Sequence, residues 1–177
     1  MMLKGGMDLF RMTCFLNIPP EKLTSLLVPL KFQKTRDSLV WRMDDHYFSI
    51  HPFKNQPRNG VYGYRVLFNG QMQGGIYLFD QSLSTFTPKI VSVEYILDND
   101  KDVGWWRNQC LKYRLKKRST GAFRSGRVSI VLTGETIHFM IRSSAGKGLK
   151  VYECFKEIDE LKDLLVPSKV DLFSFAQ

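Results

Sequence analysis

Residues 127–142, RVSIVLTGETIHFMIR, decide the fold class of this 177-residue chain. The runs 127–132 and 136–142 are strand-like and are separated by Thr133-Gly134-Glu135, which is typical of a β-hairpin. In the second run His138 alternates with Met140 and Arg142, so we expect these three side chains on one face of a sheet.

Similar strand patterns lie on both sides of this hairpin, at 9–16, 39–42, 46–50, 62–68, 75–79, 90–97 and 149–155. Two short helices are predicted at 21–28 and 157–166, each ending before a proline. These elements predict an α+β fold, a largely antiparallel β-sheet of about seven to nine strands with two short helices packed on one face.

A short internal repeat adds an alternative to this fold. The letters LLVP occur at 26–29 and again at 164–167, and Cys-Phe precedes each of them, at 14–15 and 154–155, on a predicted strand. Two strand–helix units of like pattern suggest a pseudo-duplicated arrangement.

We expect a single domain over residues 7–177, with a flexible start at 1–6 and a C-terminal tail at 168–177. No signal peptide or membrane span is predicted, since no apolar run is long enough. Three widely spaced cysteines, Cys14, Cys110 and Cys154, favour reduced thiols in a cytoplasmic protein. Cys110, near Arg107 and Lys112, would have a lowered thiol pKa if it were exposed.

The segment 105–127, WWRNQCLKYRLKKRSTGAFRSGR, points to function. It holds eight basic residues and no acidic one, and removing it leaves 18 Lys and Arg against 17 Asp and Glu in a chain of net charge +9. Leu111, Tyr113 and Leu115 alternate with cations, which predicts a strand with one basic face. Such a face favours an anionic polymer as the partner.

Our leading interpretation is an intracellular protein, not an enzyme, that binds nucleic acid and prefers single strands. Cations would contact phosphates, and aromatic side chains at strand ends or in loops would stack on bases. The predicted binding residues are Trp105, Trp106, Arg107, Lys112, Arg114, Lys116, Lys117, Arg118, Phe123, Arg124, Arg127 and the loop residue Lys147. The predicted order over 111–166, four strands and a helix, resembles that of Whirly-type single-strand-binding platforms, which implies the same class of ligand.

Two alternatives stay open. A metal-dependent nuclease or nicking enzyme would use Asp44, Asp45, His46 and His51, with a tyrosine at 47, 62 or 64 as the nucleophile. A protein-interaction module would pair the basic strand with an acidic protein and dock the tail at 172–175. A homo-oligomer stays open as well. No cofactor is predicted, because SSAGKG at 143–148 lacks the spacing of a phosphate-binding loop.

Overall fold

The computed structural model describes residues 9–43, 46–57, 59–69, 72–98, 101–133, 136–144 and 147–166. Ten strands form one antiparallel sheet, which confirms the predicted α+β class with a slightly higher strand count. The strands are β1 (Leu9–Leu16), β2 (Gln33–Lys34), β3 (Leu39–Met43), β4 (His46–Pro52), β5 (Tyr62–Asn69), β6 (Lys89–Asp98), β7 (Lys116–Lys117), β8 (Phe123–Ser125), β9 (Val128–Leu132) and β10 (Thr136–Arg142).

The spatial order of the strands is β2-β3-β4-β5-β1-β6-β10-β9-β8-β7. The long strands β5, β1, β6 and β10 occupy the centre, and the two edges are two-residue strands that carry lysines at 34, 116 and 117. Short, charged edge strands discourage the sheet from pairing with another chain.

Four α-helices accompany the sheet: α1 (Pro20–Leu27), α2 (Met72–Leu83), α3 (Val103–Lys112) and α4 (Val151–Leu165). Short 3-10 turns follow the first two, at Val28–Leu30 and Ser84–Phe86. None of the helices in the described ranges has the length and hydrophobicity needed to cross a membrane.

One face of the sheet is covered by all four helices. In β1 the side chains of Phe10, Met12, Cys14 and Leu16 are buried, and Phe10 meets Phe155 of α4 edge to face at 4.8 Å. The buried residues of every helix belong to one hydrophobic cluster with these strand residues. We call this the covered face and the opposite one the uncovered face, since no helix in the described part of the chain packs there.

Alternate residues of each strand point to the uncovered face, and the register joins them into cross-strand rows. One row crosses the whole sheet, through Gln33, Val40, Ser49, Leu67, Arg11, Glu94, Met140, Ser129, Arg124 and Lys116. A second row runs His51, Arg65, Thr13, Ser92 and Arg142. Cations from distant parts of the sequence thereby lie on one face of the sheet.

Three element predictions were wrong. The predicted strand at 75–79 lies inside α2, and the predicted strand at 149–155 lies mostly in the first turns of α4. The basic segment, predicted as a strand at 111–118, begins as α3 and contributes only the two residues of β7 to the sheet there.

These corrections also affect two similarities inferred from the sequence, the internal repeat and the resemblance of residues 111–166 to single-strand-binding platforms. Because Cys154 and Phe155 lie on a helix whereas Cys14 and Phe15 lie on a strand, the predicted repeat of a strand–helix unit is wrong. Four strands and a helix do fall within 111–166, but only β9 and β10 coincide with predicted strands, and all four belong to the larger sheet.

Candidate nucleic-acid interface

The uncovered face is rich in cations. Among the strand side chains that the structure describes, it carries seven Lys and Arg and a single carboxylate, Glu94. All seven except Arg11, which is half-buried, are exposed. They are Arg11, Arg42, Arg65, Lys89, Lys116, Arg124 and Arg142.

The single described carboxylate on this face is already neutralised. Glu94 is only 3% exposed and accepts hydrogen bonds from Arg11 Nε at 2.8 Å and His138 Nδ1 at 2.6 Å. Thr136 Oγ1 lies 2.7 Å from the other ring nitrogen of His138. Burial alone would raise the pKa of Glu94, but the hydrogen bonds and charges of His138 and Arg11 outweigh it and hold that pKa below its ordinary value.

Four arginines surround a depression of about 400 Å³ at the β8 side of this face. We call it the arginine pocket. Arg118 comes from the turn after β7, Arg124 from β8, Arg127 from the turn before β9, and Arg142 from the end of β10. No carboxylate lines the pocket among the described residues. Arg127 is held by Glu157 of α4, with its Nε 2.6 Å from the carboxylate.

A second depression, of about 680 Å³, lies toward the other side of the sheet. We call it the mixed basin. Its polar lining contains Lys34, Arg36, Asp37, His51, Lys54, Asn55 and Arg65. His51 shares a hydrogen bond of 2.9 Å with Ser49 Oγ, and burial and then the charge of Arg65 lower the pKa of His51 despite Asp37. This depression therefore combines four cations with one carboxylate and a histidine biased toward its neutral form.

A row of polar side chains connects the two depressions. Arg65 of the mixed basin and Arg142 of the arginine pocket are separated in their row by Thr13 and Ser92. Three inter-strand spacings put their backbones about 14 Å apart. Because both arginines are exposed and belong to one continuous face, a single extended polyanion can contact both.

Half-exposed aromatic rings accompany these cations. Phe15 of β1 meets Phe53 edge to face at 6.0 Å. Phe53 also lines the mixed basin, where its ring covers Gly63 so closely that a Cβ at that position would overlap it. The guanidinium group of Arg42 lies over the ring of Tyr47 on β4, 5.3 Å from the ring centre. Rings of this kind beside cations are the parts from which base-stacking sites are built.

The structure divides the predicted basic segment between the two sides of the molecule. Arg107 and Lys112 are exposed on α3, whose buried residues pack on the covered face. Arg114 adopts a left-handed backbone with φ of 60° as the chain leaves that helix. By contrast Lys116 and Arg124 lie on the uncovered face, and Arg118, Arg124 and Arg127 converge in the arginine pocket.

The predicted stacking role is wrong for two residues, because both are buried. Trp106 and Phe123 are each 1% exposed and belong to the hydrophobic core. Trp105 is half-buried on α3, packed edge to face on Trp106 at 5.1 Å, with Lys101 over its ring. Lys117 pairs with the buried Phe123 and so points away from the uncovered face. Lys147 is exposed in the segment after β10, apart from both depressions.

Sequence reasoning missed five cations of the uncovered face: Arg11, Arg42, Arg65, Lys89 and Arg142. Arg11, Arg65 and Arg142 each lie in a strand whose alternate residues are apolar and buried, and that pattern is visible in the sequence. This pattern indicates only an amphipathic strand, because the sequence does not show which strands are neighbours in the sheet. Phe15 lies on the face opposite Phe10 and Met12, and its contact with Phe53 is tertiary, so no local pattern of the sequence shows it.

The residues of the nuclease alternative lie partly outside the described ranges. Asp44 and Asp45 are not described, and neither is the side chain of His46. Among the residues that the structure does describe, no group of three His, Cys, Asp or Glu is suited to hold a metal ion. Tyr64 donates a buried 2.7 Å hydrogen bond to the Ile18 carbonyl, and burial raises its pKa well above the ordinary value, so it is unsuited to act as a nucleophile.

The three cysteines are buried. Burial raises the pKa of the Cys110 thiol to about 11, so the lowered pKa considered for an exposed Cys110 does not apply. Burial likewise raises the pKa of the Cys14 and Cys154 thiols. These thiols therefore act as small apolar core groups.

No protein-family model matches the chain, and a search of curated proteins finds no relative of significant similarity.

Proposed function

We propose that this protein binds single-stranded nucleic acid on the uncovered face of its sheet. The observation that supports this is the charge of that face. Among the strand side chains that the structure describes there, seven Lys and Arg stand against one buried carboxylate that is already paired. The acidic residues gather elsewhere: α4 alone has five of them on the covered side. Segregation of this kind favours a positive potential over the uncovered face.

The contacts expected of each group follow from its chemistry. Arg65, Arg124 and Arg142 are exposed, and no carboxylate of the described residues lies within ion-pair distance of them, so their guanidinium groups are available to phosphates. Each contact releases counterions from the polyanion, which supplies most of the affinity in non-specific binding. Phe15 and Phe53 provide the faces on which bases stack.

The arrangement of helices favours single strands over duplex DNA. Proteins that read a duplex commonly insert a helix or a two-stranded ribbon into the major groove. Here the four helices pack on the opposite side of the sheet, and the cations lie on a broad surface with half-exposed aromatic rings. A flexible strand can place phosphates on the arginines and its unpaired bases on those rings, whereas a duplex hides its bases.

The test is fluorescence anisotropy with a labelled single-stranded oligonucleotide, a duplex of the same sequence, and polyglutamate as an acidic polymer without bases. The triple variant Arg65→Gln, Arg124→Gln, Arg142→Gln should bind the single strand about fiftyfold more weakly at 0.15 M salt, because three phosphate contacts are lost. The slope of log affinity against log salt should become shallower by about 2.

A matched control removes the same charge from the covered side. Arg107→Gln, Lys112→Gln, Lys156→Gln neutralises three exposed cations on α3 and α4 and should change affinity less than about threefold through long-range attraction alone. Equal losses in the two triple variants would contradict binding on the uncovered face. Polyglutamate bound as tightly as the oligonucleotide would favour an acidic protein partner instead.

A further inference from the structure

The arginine pocket holds more positive charge than one internal phosphodiester requires. Four guanidinium groups from separate segments approach the same depression. Arg127 is paired with Glu157, and the other three have no ion-pair partner among the described carboxylates. An internal phosphodiester carries one negative charge and is satisfied by one bidentate arginine. A terminal phosphate carries a charge of about −1.5 to −2 and three strong acceptor oxygens.

Hydrogen bonds from Nε hold two of these arginines, Arg124 and Arg142, and do not use the terminal nitrogens of the guanidinium group. Arg124 donates its Nε to the Gly126 carbonyl at 2.8 Å, and Arg142 directs its Nε to Met140 Sδ at 3.0 Å. The terminal nitrogens of both remain available, since no carboxylate of the described residues pairs with either arginine. Arginines fixed in this way lose less side-chain entropy when an anion binds.

The pocket also lies where a track across the sheet would end. The row from the mixed basin reaches Arg142 on β10, and only β9, β8 and the two-residue β7 lie beyond it. The turn that joins β7 to β8 borders the pocket on that side through Arg118, Ser119 and Thr120. Val131 and Met140 provide apolar lining, and about 400 Å³ falls in the size range of small-molecule sites.

We propose that the arginine pocket is a phosphate-monoester site that holds the phosphorylated end of the bound strand. This inference rests on the proposed function, because the strand is what brings the terminal phosphate to the pocket. A free nucleoside monophosphate offers the same group, so the experiment includes both sources.

The experiment compares four probes in competition and anisotropy measurements. Three are oligonucleotides of one sequence that carry a 5′-phosphate, a 3′-phosphate or hydroxyls at both ends, and the fourth is a nucleoside monophosphate. One of the two phosphorylated oligonucleotides should bind about tenfold more tightly than the hydroxyl form, because the terminal phosphate adds charge-assisted hydrogen bonds. The monophosphate should abolish this preference when it is present in excess.

Two variants separate the pocket from the rest of the face. In Arg118→Gln, Arg142→Gln the phosphorylated and hydroxyl oligonucleotides should bind equally. In the control Arg36→Gln, Arg65→Gln, which alters the mixed basin, both should weaken and their ratio should stay near ten. All four side chains are exposed, so thermal unfolding should show that both variants are folded.

The pH dependence gives a readout that needs no variant. The second ionisation of a phosphate monoester has a pKa of about 6, whereas arginine stays charged throughout. The preference for the phosphorylated strand should therefore shrink as the pH falls from 7.5 to 5. Equal binding of all three oligonucleotides at pH 7.5 would overturn the terminal-phosphate site and leave the proposed function standing. If no oligonucleotide binds, the proposed function itself is wrong.

Discussion

The two faces of the ten-stranded sheet are made by the same strands but differ in what their side chains contact. On the covered face the residues of β1 lie in a hydrophobic cluster beneath four helices. On the uncovered face the neighbouring residues of the same strand are Arg11, Thr13 and Phe15, which are half-exposed. Residues one position apart therefore serve different purposes, since a strand directs successive side chains to opposite faces.

This difference separates stability from binding. Substitutions on the covered face should change the free energy of unfolding and leave the affinity of the folded protein for nucleic acid unaltered. Substitutions of exposed cations on the uncovered face should do the reverse. Glu94 is an informative case, because it is a charged residue of the uncovered face and is nevertheless buried.

The largest effect on stability is expected at Trp106. Trp106→Ala removes a side chain that is 1% exposed in the core and should lower the free energy of unfolding by about 3–5 kcal/mol, measured by urea denaturation. Its neighbour Trp105 is half-buried, so Trp105→Ala should cost less than half as much. The folded fraction of Trp106→Ala should bind a single-stranded oligonucleotide as the wild type does. A stable Trp106→Ala protein with impaired binding would restore the stacking role predicted from sequence.

Two adjacent glycines in α2 give a second comparison on the covered side. A Cβ at Gly75 would overlap the Phe68 ring, whereas a Cβ at Gly74 would meet nothing within 4 Å. Gly75→Ala should therefore destabilise the protein by about 3 kcal/mol through overpacking. Gly74→Ala should stabilise it by about 0.5 kcal/mol, because alanine is the better helix former. Similar thermal shifts for the two variants would contradict the packing of α2 on β5.

Those glycines also show why part of the fold could not be predicted from the sequence. The β9–β10 hairpin, β1, β5 and β6 were predicted because runs of strand-forming residues lie there between turn residues. Helix α2 was missed because two glycines in its first turns weaken its local helix propensity. Gly75 is placed there by a tertiary contact with Phe68, which no local pattern contains.

Helix α3 and the first turns of α4 were missed for a different reason, whereas the rest of α4 falls within the helix predicted at 157–166. Leu111, Tyr113 and Leu115 alternate by coincidence: Leu111 is exposed in the last turn of α3, and Leu115 becomes buried only after Arg114 turns the chain. A helix start was visible at Asp102, whose carboxylate accepts the 2.6 Å hydrogen bond from the Trp105 amide. The start of α4 was visible too, in the spacing of Val151, Cys154, Phe155 and Ile158.

The candidate site was predictable only in chemical class. An excess of cations could be counted from the sequence, but the strand order that places Arg65 in a row with Arg142 depends on pairings between segments about fifty to eighty residues apart. The sequence therefore identified Arg118, Arg124 and Arg127 through their local density. It could not identify isolated arginines that the register of the sheet brings to the same face.

The third prediction concerns the stability supplied by Glu94. Its folded pKa is lowered, so its contribution is fully present above the unfolded value of about 4.3 and is lost as the pH falls through the folded pKa. Glu94→Gln should lower the free energy of unfolding at pH 7 by about 2 kcal/mol, because Arg11 and His138 lose their charged partner. The difference from wild type should shrink below pH 4 in urea titrations. If the difference in unfolding free energy between the variant and the wild type does not depend on pH, the loss is one of packing and not of charge.

The smallest effect tests whether Glu94 also restrains binding. Glu94→Gln removes the one described carboxylate of the uncovered face and leaves the charge of Arg11 uncompensated. One additional cation available to phosphates should raise affinity for a single strand about fourfold at 0.15 M salt and steepen the salt slope by about 0.7. Glu160→Gln makes the same change in net charge on an exposed position of α4 and should leave affinity within the error of the measurement. A rise confined to Glu94→Gln would show that the location of the charge, and not the net charge of the chain, governs binding, whereas equal rises in both variants would mean that net charge alone does.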